Sequence, residues 1–231
     1  MDINEIDVCT FDCYGTLINW EGGIGAFLYD VALWSGDDNP PPGGEMRVRW
    51  EAIQFDMIRG PYLSYKEILA QSLRLWCEER GYVWREDMGA WLVRSMRSWQ
   101  PFHDTTPALN RVQQAGLKLV IVSNTDNDII RHSLQHMGVD FDDVITAEEC
   151  GAYKPSLTVF EQALERIDVA PARILHVAFG FKYDNGPAQQ IGMHTAWVNR
   201  AAEPQPDGPI PDFTWRDLWG LAEVAEQRSR G

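Results

Sequence analysis

The chain has 231 residues, 45% of them hydrophobic, with a formal net charge of −14 and a pI near 4.7. That composition can build a core, and its charge argues against nucleic acid and anionic membrane surfaces as partners. No apolar run reaches bilayer-spanning length, no basic-then-apolar leader is visible, and Cys9, Cys13, Cys77 and Cys150 form no CxxC pair or metal-like spacing, so a cytoplasmic protein with free thiols is expected.

The first apolar run, Ile6–Phe11, reads as a buried strand and leads directly into Asp12-Cys13-Tyr14-Gly15-Thr16. A carboxylate between a strand end and a glycine turn lies on the edge where open α/β sheets bind ligands. Such an aspartate can act as a nucleophile, or simply cap a helix. Cys13 has no histidine near it in sequence and reads as a small buried residue. From Trp20 to Pro101 the pattern turns helical, at 24–34, 45–59, 64–80 and 86–99, broken by an Asp37–Gly44 loop with three consecutive prolines. Gly22-Gly23-Ile24-Gly25 is no dinucleotide fingerprint, because no strand directly precedes it.

A helix over 107–115 precedes a strand at Leu117–Val122, after which stand Ser123-Asn124-Thr125. Asn127–Met137 places Ile129, Ile130, Leu134 and Met137 on one helical side, with Asp126 and Asp128 expected to cap it. His132 and His136 on that helix lack a third ligand and read as a solvated face. Val144–Ile145 is a short strand. Lys154-Pro155 opens a helix over 155–167, with Pro155 expected in its first turn. Strands at Ile174–Ala178 and Thr195–Val198 flank the segment Phe179-Gly180-Phe181-Lys182-Tyr183-Asp184. Residues 204–211 are a loop and 215–228 a last helix. Alternating strands and helices imply a Rossmann-like parallel sheet with helices on both faces. The division expected is a core domain of 1–19 and 101–231 carrying an inserted helical cap of 20–100.

Four chemical pieces thus follow strands in order: Asp12 with Tyr14, Gly15 and Thr16; Ser123 with Asn124; Lys154; and Asp184. This ordered set resembles the haloacid dehalogenase superfamily over nearly the whole chain. The resemblance matches Asp12 to the nucleophile motif, Ser123 to the serine or threonine motif, Lys154 to the lysine motif and Asp184 to the final acidic motif. Phosphatases of the superfamily carry a second aspartate where Tyr14 stands, and a phenol is a poor general acid at neutral pH. FDCYGTL is instead similar to the L-2-haloacid dehalogenase branch, which implies no metal and no cofactor, with Lys154 supplying the positive charge.

The resemblance further implies that Asp12 displaces the C2 substituent of a small carboxylate, as an (S)-2-haloacid dehalogenase does, and forms an aspartyl ester that water hydrolyses. Ser123 would hold the substrate carboxylate, Asn124 would line the leaving-group side, and Asp184 would anchor Lys154 or help the water. Tyr14 and Trp20 would form apolar walls. Relatives are often dimers, so a homodimer is a further expectation.

Three departures from that branch stand in the sequence. The stretch from Ser35 to Gly44, where the branch places a halide-receiving arginine, has none, leaving Arg47, Arg49 and Arg59 as substitutes. Phe160 replaces a usual tyrosine, and Ala178-Phe179-Gly180-Phe181 replaces a polar loop. Aromatic Phe179 and Phe181 suit a cation better than a halide, which motivates a second reading, ring opening of a strained cyclic amino acid such as L-azetidine-2-carboxylate. The plain alternative is that both rings only pack against the cap. A magnesium-dependent phosphatase and a non-catalytic binding protein are further readings.

Overall fold

The computed structural model describes residues 1–228, so the final three residues of the expected core segment lie outside the described residues. Six strands form one parallel sheet in the order β3-β2-β1-β4-β5-β6. They are β1 (Val8–Phe11), β2 (Lys118–Ser123), β3 (Asp143–Thr146), β4 (Ile174–Ala178), β5 (His194–Val198) and β6 (Phe213–Trp215). β1 lies at the centre, with Phe11 in register with Ile121 of β2 and Val177 of β4. Every residue of β1 and β4 is buried, as near-continuous apolar runs in two-sided sheets require.

The pleat sends alternate residues to opposite faces. On one face Val8, Val120, Val122 and Ile174 pack with Val159, Phe160 and Ala163 of α8 (Leu157–Ile167) and Ala188 of α9 (Gly186–Gln190). On the other, Cys9, Phe11, Leu119, Ile121, Leu175 and Val177 join a larger core. That core includes α5 (Thr105–Gln114), α6 (Asn127–Met137) and α10 (Trp219–Arg228). The short α7 (Ala147–Cys150) follows β3.

Between β1 and α5 the chain runs through four helices, α1 (Trp20–Trp34), α2 (Gly43–Ile58), α3 (Tyr65–Arg80) and α4 (Met88–Met96). Each packs on the next in pairs α1 with α2, α2 with α3, and α3 with α4, around fully buried Trp50 and Trp76. Asn19 starts α1 by accepting the Gly22 N–H at 3.0 Å. Ser64 and Glu67 form a reciprocal capping box at the start of α3.

Several sequence expectations need correction. β6 is an additional edge strand inside the region read as loop and helix, and the last helix begins at Trp219 rather than 215. Three residues of alternating partial exposure give almost no periodic signal. Pro155 lies outside α8, because Ser156 holds the N-cap position and its hydroxyl accepts the Thr158 N–H. Asp126 stands at the N-cap of α6 but makes no side-chain bond there. Its carboxylate accepts the Tyr65 and Lys66 N–H groups at 2.8 and 3.0 Å, and so caps α3 across the fold.

Candidate active site

The C-terminal ends of β1, β2 and β4 converge on a chamber of about 60 Å³, closed from above by α1, α2 and α3. Asp12, Ser123, Asn124, Lys154, Phe179 and Asp184 line its floor and sides. That volume corresponds to roughly four or five water positions.

Asp12 is 6% exposed and both its oxygens are engaged. Oδ1 accepts Lys154 Nζ at 3.0 Å and Oδ2 accepts the Thr16 hydroxyl at 2.8 Å. Thr16 Oγ1 in turn accepts the Phe179 N–H at 2.9 Å, tying the Asp12 loop to the end of β4. Gly15 is required at this turn: its φ is +97° and any Cβ there would run into the Phe179 ring.

Lys154 is 1% exposed, and each of its three N–H donors has a partner. They are Asp12 Oδ1, Asp184 Oδ1 at 2.6 Å and the Val122 carbonyl at 2.8 Å. The lysine loop is fixed by Asn124, whose amide bonds the Lys154 main chain twice, accepting its N–H at 2.7 Å and donating to its carbonyl at 2.9 Å. Asn124 therefore borders the chamber with its polar atoms already committed to Lys154.

Asp184 Oδ1 also meets His176 Nε2 at 3.1 Å, and His176 Nδ1 meets the Thr10 hydroxyl at 2.8 Å. A carboxylate accepts only, so Nε2 carries a proton and donates it to Asp184. Gly180 leaves room for the other oxygen, since a Cβ there would strike Asp184 Oδ2.

The cluster therefore holds two carboxylates around one ammonium. Burial pulls the Lys154 ammonium down, but Asp12 and Asp184 outweigh it and raise its pKa. Burial pushes Asp184 up, yet Lys154 and His176 hold it below the ordinary carboxylate range. Asp12 is raised, chiefly by burial, against the pull of Lys154 and with the Asp184 charge adding to the push. The two aspartates move apart because the Asp184 charge pushes Asp12 up, while His176 adds a further pull on Asp184.

Tyr14 lines the chamber, but its hydroxyl bonds Ser133 Oγ at 2.8 Å and its ring stands edge-on to Trp99. Burial drives its phenol well above its usual pKa. Cys13 is a buried thiol, likewise raised by burial, and Cys9 is pushed up to about 12. Ser123 Oγ is buried without a hydrogen-bond partner on the chamber wall.

Trp20 and Phe179 line the chamber with ring centroids 6.4 Å apart. Phe181 does not join them: it packs edge-on against Trp197 of β5, outside the chamber. Arg47, Arg49 and Arg59 do not reach it either. Arg47 is held by Glu21 and Glu51 and lies over the Trp20 ring, Arg49 pairs with Glu79, and Arg59 lies over Phe55.

Sequence reasoning missed Glu51, Gln54, Ile58, Tyr65 and Tyr183, which complete the wall, and the contact of His176 with Asp184. For Tyr65 a signal existed: the Ser64–Glu67 capping box marks a helix start, and here that start faces the sheet edge. For His176 the signal was its place on a strand two residues before the edge.

Comparisons with known proteins agree with this arrangement. The family of haloacid dehalogenase-like hydrolases matches residues 6–178. The (S)-2-haloacid dehalogenase 1 of Pseudomonas sp. (strain CBS-3) is 25% identical over 213 residues, covering 88% of each chain. The haloacetate dehalogenase H-2 of Moraxella sp. (strain B) is 26% identical over 220 residues, covering 92% of this chain and 94% of the relative. A solved L-2-haloacid dehalogenase, RSc1362, superposes with a TM-score of 0.82 at 25% identity, covering 96% of this chain and 99% of that one. The L-2-haloacid dehalogenase of Xanthobacter autotrophicus with chloropropionic acid covalently bound shares the fold, with a TM-score of 0.80 at 20% identity over 96% of this chain and 98% of its own. With three quarters of its length inside the family match and this sheet-edge geometry, the chain belongs to the haloacid dehalogenase-like hydrolases.

Proposed function

We propose that this hydrolase displaces the C2 substituent of a small 2-substituted carboxylic acid, a 2-haloacid in the first place, through an ester on Asp12. The observation that carries the reading is Lys154 Nζ bonded to both Asp12 and Asp184 beside the unpartnered Ser123 hydroxyl. Ser123 donates to the substrate carboxylate. An Asp12 oxygen attacks C2 from behind, the C–X bond breaks with its electron pair leaving on X, and C2 inverts. Water then adds to the Asp12 carbonyl carbon, the acyl–oxygen bond breaks, and the 2-hydroxy acid departs. The N–H groups of Cys13 and Tyr14, which make no hydrogen bond among the described residues, are available to the oxyanion of that second step.

The same reading treats 20–100 as a cap over a core of 1–19 and 101–231. Lys154 occupies the position between the two carboxylates and supplies their counter-charge. Activity is therefore expected to persist in EDTA. A phosphatase reading is disfavoured, because the Tyr14 hydroxyl bonds Ser133.

One observation favours a second leaving group. Lys154 is the only cation on the chamber wall among the described residues, and Trp20, Phe179, Tyr183 and Glu51 offer aromatic faces and a carboxylate instead. These suit an amine released from a strained ring such as L-azetidine-2-carboxylate. A panel of L-2-chloropropionate, fluoroacetate, L-azetidine-2-carboxylate and p-nitrophenyl phosphate separates the readings by the product released. A single turnover in heavy-oxygen water tests the ester: unlabelled product is expected, and fully labelled product would sink the Asp12 step.

A further inference from the structure

Glu51 is the one charged side chain that α1–α4 contribute to the chamber wall. It also lines a neighbouring groove of about 340 Å³, which shares Phe179 and Tyr183 with the chamber. It therefore stands at the neck between the two spaces. Its Oε2 is taken by Arg47, one helical turn earlier, and Arg47 is simultaneously held by Glu21 at 2.9 Å. Oε1 makes no hydrogen bond among the described residues.

The charges acting on Glu51 come from Arg47 and Glu21 on the helices, and from Lys182 and Glu203 across the groove. Arg200 lines the groove as well, so three carboxylates meet three cations, but Arg200 is already taken up by the buried Asp104. The aromatic faces of Trp20, Phe179 and Tyr183 border the same space. A carboxylate with a free oxygen, set among ring faces and answered by incomplete counter-charge, is a receptor for a cation rather than for a halide or a second carboxylate. The opposite end of the chamber offers the Ser123 hydroxyl and the Lys154 ammonium.

We infer that Glu51 is a specificity-determining residue that receives a protonated amine carried by the substrate, so that the chamber selects small zwitterionic acids, carboxylate toward Ser123 and ammonium toward Glu51. The inference rests on the reading that a small carboxylate lies against Ser123. It adds a second point of recognition, whichever group leaves C2.

The test uses unreactive ligands, so that it does not depend on Asp12 chemistry. Calorimetric titration of the intact protein with propionate and 3-aminopropionate, then with butyrate and 4-aminobutyrate, compares acids that differ by an ammonium. The aminated member of at least one pair is expected to bind about tenfold tighter, the size of one charge-assisted contact. Glu51→Gln keeps the side-chain volume and an acceptor for Arg47, and it should erase that preference, read as the ratio of the two affinities within a pair. Equal affinities within both pairs in the wild type overturn the inference, as does a preference that survives in Glu51→Gln. If the variant does not fold, the wild-type comparison alone decides. Failure of the Asp12 reading would appear elsewhere, as an Asp12 peptide that never gains the mass of a carboxyalkyl substituent with any 2-substituted acid.

Discussion

At the scale of single residues, the site is a small set of mutually dependent charges. On the proposed reading of Asp12 as nucleophile, Asp12→Asn should lower kcat by about a thousandfold or more, since covalent catalysis would be lost outright; steady-state assays of a folded variant check this. Removing the ammonium is different in kind. Lys154→Ala leaves Asp12 and Asp184 as buried, unanswered charges, a loss of about 3–5 kcal/mol when one partner of a buried pair is deleted, to be read from denaturant unfolding. The raised pKa of Asp12 gives a pH dependence with a definite sign. Attack needs the ionised form, so kcat/KM should fall as pH drops through a value above the ordinary aspartate range, and the acid limb should lie higher than a solvent-exposed carboxylate would give. Asp12, Thr16 and Ser123 were legible in the sequence because each stands at a strand end or in the short loop after one, and Lys154 and Asp184, which stand farther from their strands, because they complete the ordered set. The expectation for Phe181 fails because Gly180 separates it from Phe179 and the chain enters a helical segment at Phe181. Phe181 went to Trp197 while Phe179 stayed in the chamber.

At the scale of elements, the strands read well because they are buried on both faces and appear as unbroken apolar runs. The helices between Trp20 and Pro101 were visible by periodicity, but what they do to the chamber was not. Three of their chamber-lining residues, Glu51, Gln54 and Ile58, fall on no motif. Long-range capping is equally invisible in a linear reading. Asp126 follows β2 and satisfies the first turn of α3, whose first residue, Tyr65, lines the chamber and bonds Gln54 at 3.0 Å. Asp126→Ala should therefore cost about 1 kcal/mol of stability, the usual worth of an N-cap. It should also raise KM more than it lowers kcat, because the wall shifts and the nucleophile does not. Unfolding curves and initial-rate kinetics on one protein preparation check both parts.

At the scale of the whole molecule, the acidic surface opposes the anionic substrate proposed above. A net charge of −14 repels an anionic carboxylate in free solution. Screening that field should increase kcat/KM as ionic strength rises from about 10 to 150 mM, with KM carrying the change. Stopped or coupled assays across a salt series check the sign, and a fall in kcat/KM would place the governing charge inside the chamber rather than on the surface. The four free cysteines belong to this scale too. Cys9 and Cys13 are fully buried with raised thiols, so neither should react with a thiol reagent until the protein unfolds.

The paired hydrogen bonds between the Asn124 amide and the Lys154 main chain have a wider consequence. They lock the loop after β2 to the loop after α7, so the spacing between Ser123 and Lys154 is set beneath α1–α4. The same two loops also reach upward, Asp126 to the first turn of α3 and the Tyr153 hydroxyl to the Leu63 carbonyl at 2.8 Å. Exchanges at Glu51, Gln54 and Ile58 on α2 can therefore retune the ceiling, whereas changes at the start of α3 would be felt below.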